Sequence, residues 1–231
     1  MLQRTEVNNV INDLRNLGAT DSVLNHLESF FETTSIHKIL LPYETLCRDL
    51  AARQAKVLLP IQWEGSEIRV PLNRYRPFLL SLIHIVRNAV DHGIELPEER
   101  KAAGKNPSAQ IRFSCHVDRH GQLSIEITDD GRGINVTAVE VKAKRLGLLA
   151  PEQSLSDSRL VHVLFSDGFS TKEAATQISG RGVGLSAVQE ELEQLGGTIH
   201  LKNRPNQGTS FQFLLPFWAK PVEKTKTSSA A

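Results

Sequence analysis

Five side chains in one short stretch carry chemistry that a surface helix rarely uses. In "SLIHIVRNAVDHGIE" (81–95), His84, Arg87, Asn88, Asp91 and His92 fall on one side of a helical wheel. Leu79, Leu82, Ile83, Val86 and Val90 form the apolar stripe on the other side. His84, Asn88 and His92 recur at four-residue spacing, which stacks them along one line of the helix. Asn88 offers a neutral carbonyl oxygen, suited to a Mg²⁺ already shared with phosphates. His84 can take or give a proton near neutral pH. A solvated polar face would have the same outline, so this stretch alone leaves both readings open.

Two glycine-rich stretches add to it. "DDGRGI" (129–134) closes a strand, and Gly131 and Gly133 allow a backbone to approach a ligand closely. Asp129 at that strand end can accept a hydrogen bond from an exocyclic amine, although Asp-Gly is also a common turn. "SGRGVGLSAV" (179–188) places Gly180, Gly182 and Gly184 directly before a helix. Exposed N–H groups and a helix N-terminus make a phosphate cradle. The stretch lacks the Gly-Lys-Ser/Thr of a Walker loop and follows no strand of a βαβ unit. "NQGTSFQF" supplies Gly208 and Thr209 at the start of a last strand, where a tight hairpin also accounts for the glycine.

The elements that must position these residues read as follows. Residues 1 to about 34 carry helical spacing, and 42–55 is an amphipathic helix. "KVLLPIQWEG" and "SEIRVPL" read as two short strands around a turn at Gly65-Ser66. One helix is expected from about Asn73 to Asp91, stopped by Gly93, and then a charged loop, "ELPEERKAAGKNPS". Alternation of Ile111, Phe113, Cys115 and Val117 and then Leu123, Ile125 and Ile127 predicts a hairpin. Two short helices, a polar loop over 166–182, a helix with a glycine stop and a closing hairpin follow. Strands that pair mostly as hairpins favour an α+β fold, with helices on one face of a mixed sheet.

Composition narrows the function. Of 231 residues 40% are hydrophobic and 23% charged, with a net charge of +1. That balance gives no electrostatic case for nucleic acid. Cys47 and Cys115 offer no metal spacing and read as reduced thiols. The start has no apolar signal region, and "FLLSLIHIV" is too short to span a bilayer. A cytoplasmic chain with no membrane insertion is expected.

Taken in order, the polar-faced helix, the Asp-Asp-Gly-Arg-Gly strand end, the glycine-rich lid and the Gly-Thr resemble the GHKL ATPase superfamily. More narrowly, the chain resembles the ATP-binding catalytic domain of CheA-type histidine kinases. "HIVRNAVDHGIE", "EERKAAGK", "DDGRGI", "LFSDGFSTKE" and "SGRGVGLSAV" carry the resemblance, over about residues 42–217. It implies a Bergerat-type two-layer α/β sandwich with a mobile ATP lid. Residues 1–41 then read as a remnant of a dimerisation or linker region, and 218–231 as a disordered tail.

The resemblance also implies roles. Asn88 matches the Mg²⁺-binding asparagine, and His84 the position from which a side chain can polarise an attacking imidazole as general base. Asp129 matches the aspartate that receives the adenine amino group, with Gly131, Gly133 and Thr209 around it. Asp91 and His92 match positions lining the nucleotide site. Lys172 is a candidate phosphate contact, and Ser179, Gly180, Gly182 and Gly184 match the lid beside the phosphates. The implied reaction is transfer of the ATP γ-phosphate to a histidine on a separate domain or protein. A response regulator would act downstream, and a receptor or coupling protein would act through further domains. "GLSAV" departs mildly from the family's usual Met-Asp after the lid, and neither His26 nor His37 has an acceptor-like context. A fragment of a longer kinase and a standalone domain acting in trans both fit the sequence. A non-catalytic GHKL nucleotide-binding module and a GHKL serine kinase of the anti-sigma type are the alternatives.

Overall fold

A computed structural model describes residues 4–24, 27, 33–166, 168–169 and 184–217. Among the predicted site residues, Lys172, Ser179, Gly180 and Gly182 lie outside the described residues, as does the expected tail at 218–231.

The fold is α+β, as the strand pattern predicts. Five strands form one mixed sheet in the order β2-β4-β5-β7-β6. They are β2 (Gln62–Gly65), β4 (Ile111–Val117), β5 (Gln122–Asp129), β6 (Thr198–Arg204) and β7 (Gly208–Pro216). β4 and β5 pair antiparallel from Ile111↔Asp129 to Val117↔Leu123, the hairpin expected from alternation. β7 inserts antiparallel beside β5, and β6 closes on β7. On the covered face Phe113, Ile125, Phe213 and Leu215 are fully buried.

Helices cover that face. α3 (Pro42–Arg53), α4 (Leu72–Ser81), α5 (Ile83–Asn88) and α9 (Leu185–Gln194) contribute Cys47, Phe78, Leu79, Val86 and Val188 to one core. α7 (Val136–Arg145) and α8 (Asp157–Phe165) make a smaller cluster of Val139, Ala143, Leu160 and Val163. α6 (Pro97–Ala102) lies inside the stretch expected as a charged loop.

Three local readings need correction. The strands expected as a hairpin around Gly65-Ser66 do not pair with each other. β2 runs parallel to β4, with Gly65 opposite Cys115. β3 (Arg69–Pro71) pairs antiparallel with β1 (Thr33–Ser35), a strand inside the region expected to be helical. Alternation marks a strand but not its partner, and a short polar segment such as "TTS" gives no apolar period. After β1, α2 (Ile36–Leu40) buries Ile36 and Leu40 in the same core. α1 (Arg4–Asn16) agrees with the helical spacing of the N-terminal region.

The helix expected over 73–91 is in fact three segments. α4 ends at Ser81, α5 runs to Asn88, and Ala89–Gly93 is a single π-helical turn. Pro77 inside α4 has no N–H to give Asn73 O, so one bond is missing from the first turns of that helix. At the far end Ile94 N–H reaches back five residues to Ala89 O (2.8 Å), the bond that defines the π-turn.

Candidate functional site

The π-turn, Ala89–Gly93, carries the last two polar side chains of the predicted face, Asp91 and His92. His92 is exposed and lines a cavity together with Asn88. Asp91 turns toward the end of α3, where Oδ1 accepts from Gln54 Nε2 (2.7 Å). Lys56 follows α3 and donates to the carbonyls of Val90 (2.6 Å) and Asp91 (3.2 Å). Those two bonds hold the carbonyl end of the π-turn.

Asp129 closes β5 at the base of the same cavity and is 6% exposed. Its Oδ1 accepts from Gly131 N–H (2.9 Å), and its carboxylate takes the backbone N–H of Thr209 as well. Burial outweighs these bonds and pushes the carboxyl up to about 6. Keeping it ionised at pH 7 therefore costs the fold on the order of 3 kcal/mol. Gly131 fits where a side chain would not, because a Cβ there would lie 2.3 Å from Gly93 O. Arg132 N–H donates to that same carbonyl (2.8 Å). The loop after β5 and the π-turn thus meet backbone to backbone.

The cavity measures about 560 Å³. Asn88, His92, Asp129, Gly133, Gly184 and Thr209 of the predicted set line it. His84, Asp91 and Gly131 are not in its lining. His84 is half-buried on α5, and burial, together with Arg87 nearby, lowers its pKa. The imidazole is accordingly neutral at pH 7. Gly184, Leu185 and Ser186 bring the N-terminus of α9 to the cavity wall.

Three lining cations escape sequence reasoning: Arg132, Lys142 and Arg145. Lys142 and Arg145 stand three apart on α7, a spacing that puts them on one face. That spacing was available in the sequence, but nothing there tied α7 to the cavity. Lys142 Nζ also sits 5.1 Å from the centroid of Phe169. An acceptor carboxylate at the base, an amide on the helix wall and cations with a helix N-terminus around the rest suit a ligand with an amino-bearing ring and an anionic chain.

The chain is also similar to known proteins. The family described as histidine kinase-, DNA gyrase B-, and HSP90-like ATPase matches residues 79–219. The chain belongs to that ATPase family. It is 45% identical over 153 residues to the chemotaxis protein CheA of Rhizobium meliloti, covering 66% of this chain and 20% of that one. It is 35% identical over 203 residues to the CheA of Treponema pallidum, covering 87% of this chain and 25% of that one. The chain therefore spans only about a fifth to a quarter of these relatives' length. Among solved structures, the catalytic domain of histidine kinase ThkA matches with a TM-score of 0.50 and 20% identity, covering 80% of this chain and 94% of that one. That is a likeness of fold.

Proposed function

We propose that this chain is the ATP-binding catalytic domain of a CheA-like histidine kinase, which transfers the γ-phosphate of ATP to a histidine on a separate domain or protein. The observation that carries this reading is Asp129, a carboxylate buried at the base of a cavity that Asn88, Arg132 and Lys142 also line, among apolar residues such as Ile134, Val139 and Phe211. An ionised acceptor in an apolar site rewards a ligand that brings a donor and rejects one that does not. The adenine amino group is such a donor. Thr209 and Gly133 would border the ring, and the cations and the α9 N-terminus would face the phosphates.

Mg²⁺ suits the residues present. Among the described residues no cluster of three His, Cys, Asp or Glu side chains is arranged for a metal. An ion held at Asn88 would complete its shell with phosphate oxygens and water. When bound it neutralises phosphate charge in a transfer that depends on positioning more than on covalent chemistry. Asn88 lines the cavity, and Lys142 and Arg145 would offset the charge of the phosphate chain from α7. His84, held neutral beside Asn88 on α5, is the candidate proton acceptor for an incoming imidazole. A histidine-phosphotransfer domain would be the direct partner and a response regulator the next recipient. A receptor or coupling protein would act through other domains. The setting would be the cytoplasm, where the buried free thiols Cys47 and Cys115 stay reduced. No described helix is long and apolar enough to cross a membrane.

The test is transfer from γ-labelled ATP to a purified histidine-phosphotransfer domain, with calorimetry of a non-hydrolysable analogue alongside. An acid-labile label that needs Mg²⁺ and is lost in Asn88→Ala is expected. His84→Ala should lose transfer by a larger factor than binding. An acid-stable label would contradict histidine as the acceptor.

A further inference from the structure

The peptide units after Asp129 are gripped from behind by charges that never reach the cavity. Arg100, on α6, is 1% exposed. Its Nη1 donates to Glu95 Oε2 (3.0 Å) and to Asp130 O (3.2 Å), its Nη2 to Asp130 Oδ2 (2.7 Å), and its Nε to Asn106 O (2.6 Å). Lys105 Nζ bonds Glu95 Oε1 (2.8 Å) and Gly131 O (2.8 Å). Glu95 itself is 6% exposed.

Such a cluster is a poor device for stability, because taking charges out of water costs about what their attraction returns. Its geometry has a second effect. A trans peptide is flat, with C=O and N–H pointing in opposite directions. Asp130 O and Gly131 N–H belong to one such plane: Arg100 holds the oxygen, and the N–H points to Asp129 Oδ1 (2.9 Å). Gly131 O and Arg132 N–H belong to the next: Lys105 holds that oxygen, and the N–H points to Gly93 O (2.8 Å). Two consecutive peptide planes are thus fixed at both ends. One orients the acceptor carboxylate, and the other joins its loop to the π-turn that carries His92.

We infer that Arg100 and Lys105 are positioning residues for base recognition: they lock the peptide planes that aim Asp129, and so set the preference for a 6-amino purine over a 6-oxo purine. A carboxylate free to turn can take the ring N1–H of a 6-oxo purine, while a fixed one cannot follow that donor. The inference rests on the nucleotide reading of the cavity and is tested so that the two can fail separately.

The experiment is calorimetry on the full 231-residue chain, with the non-hydrolysable β,γ-imido analogues of ATP and of inosine triphosphate as probes. Wild type, Lys105→Met and Lys105→Arg are compared. Wild type should prefer the adenine analogue, Lys105→Met should narrow that ratio by about tenfold or more, and Lys105→Arg should restore most of it. Equal weakening toward both analogues, with the ratio unchanged, would make the cluster merely structural and overturn the inference. No binding of either analogue to folded wild type would overturn the nucleotide reading, and the inference with it. Should Lys105→Met fail to fold by circular dichroism, Asp130→Asn decides by the same ratio. Its side chain is 40% exposed, so the change loosens Arg100 at a site open to water.

Discussion

The two ends of the cavity are built in opposite ways. At the Asp129 end, backbone lies on backbone, and behind it Arg100 and Glu95 are buried in ion pairs. Gly131 and Gly208 leave no room for a Cβ: one at Gly208 would lie 1.9 Å from Asp129 O, and Gly208 has a φ of +102°. Elsewhere the walls are long cationic side chains on α7 and the first residues of α9. A fixed end suits a flat ring read by one carboxylate. Walls of cationic side chains suit an anionic chain. On the nucleotide reading proposed above, recognition and chemistry would fall to differently built parts of one site.

The comparison breaks most readily at its rigid end. Gly208→Ala adds a methyl to a left-handed, backbone-packed position and should cost about 3 kcal/mol or more of stability. A small change in the midpoint of chemical denaturation would mean that the β5–β7 junction is softer than described. A smaller effect is expected at the open end. Lys142→Met should leave stability nearly unchanged and weaken binding of a triphosphate analogue by about tenfold, an effect that shrinks as salt is raised. Equal weakening of adenosine, which has no phosphates, would remove α7 from the phosphate end.

Most of the sheet was legible from alternation alone, because β4, β5 and β7 alternate buried residues with less buried ones over most of their length. What the sequence hid was partnership and register. β2 and β3 look like a hairpin, but β3 pairs with β1, and a three-residue polar strand has no period to read. The π-turn was hidden for a related reason: the spacing of His84, Asn88 and His92 is that of an ideal helix, and the contacts the turn makes, with Lys56 and with the Asp129 loop, lie far away in sequence. Within the site, residue types with an unusual chemistry stood out, namely Asn88, His92, Asp129 and the glycines. Arg132, Lys142, Arg145 and the Arg100–Lys105 cluster did not, since a lysine or arginine on a helix looks the same whether it meets solvent or a cavity. "EERKAAGK" carried the family likeness, yet nothing in it signals that Arg100 is buried.

The burial of Asp129 is the centre of the account, and its titration tests it most directly. The folded carboxyl sits at about 6 against an ordinary value of 3.8. A raised folded value means that the fold favours the protonated form, so this group's contribution to stability falls as pH rises from about 4 to about 6. Ligand binding should run the other way, since only the ionised form is a full acceptor for an amino group. We would measure the affinity for a non-hydrolysable ATP analogue from pH 5 to pH 8 in wild type and in Asp129→Asn. The account predicts that wild-type affinity rises through about pH 6 beyond what phosphate ionisation gives, that Asp129→Asn shows only the phosphate part and binds at least about a hundredfold more weakly, and that its fold is no less stable at pH 7. Equal affinities and superimposable pH profiles for the two proteins would contradict it.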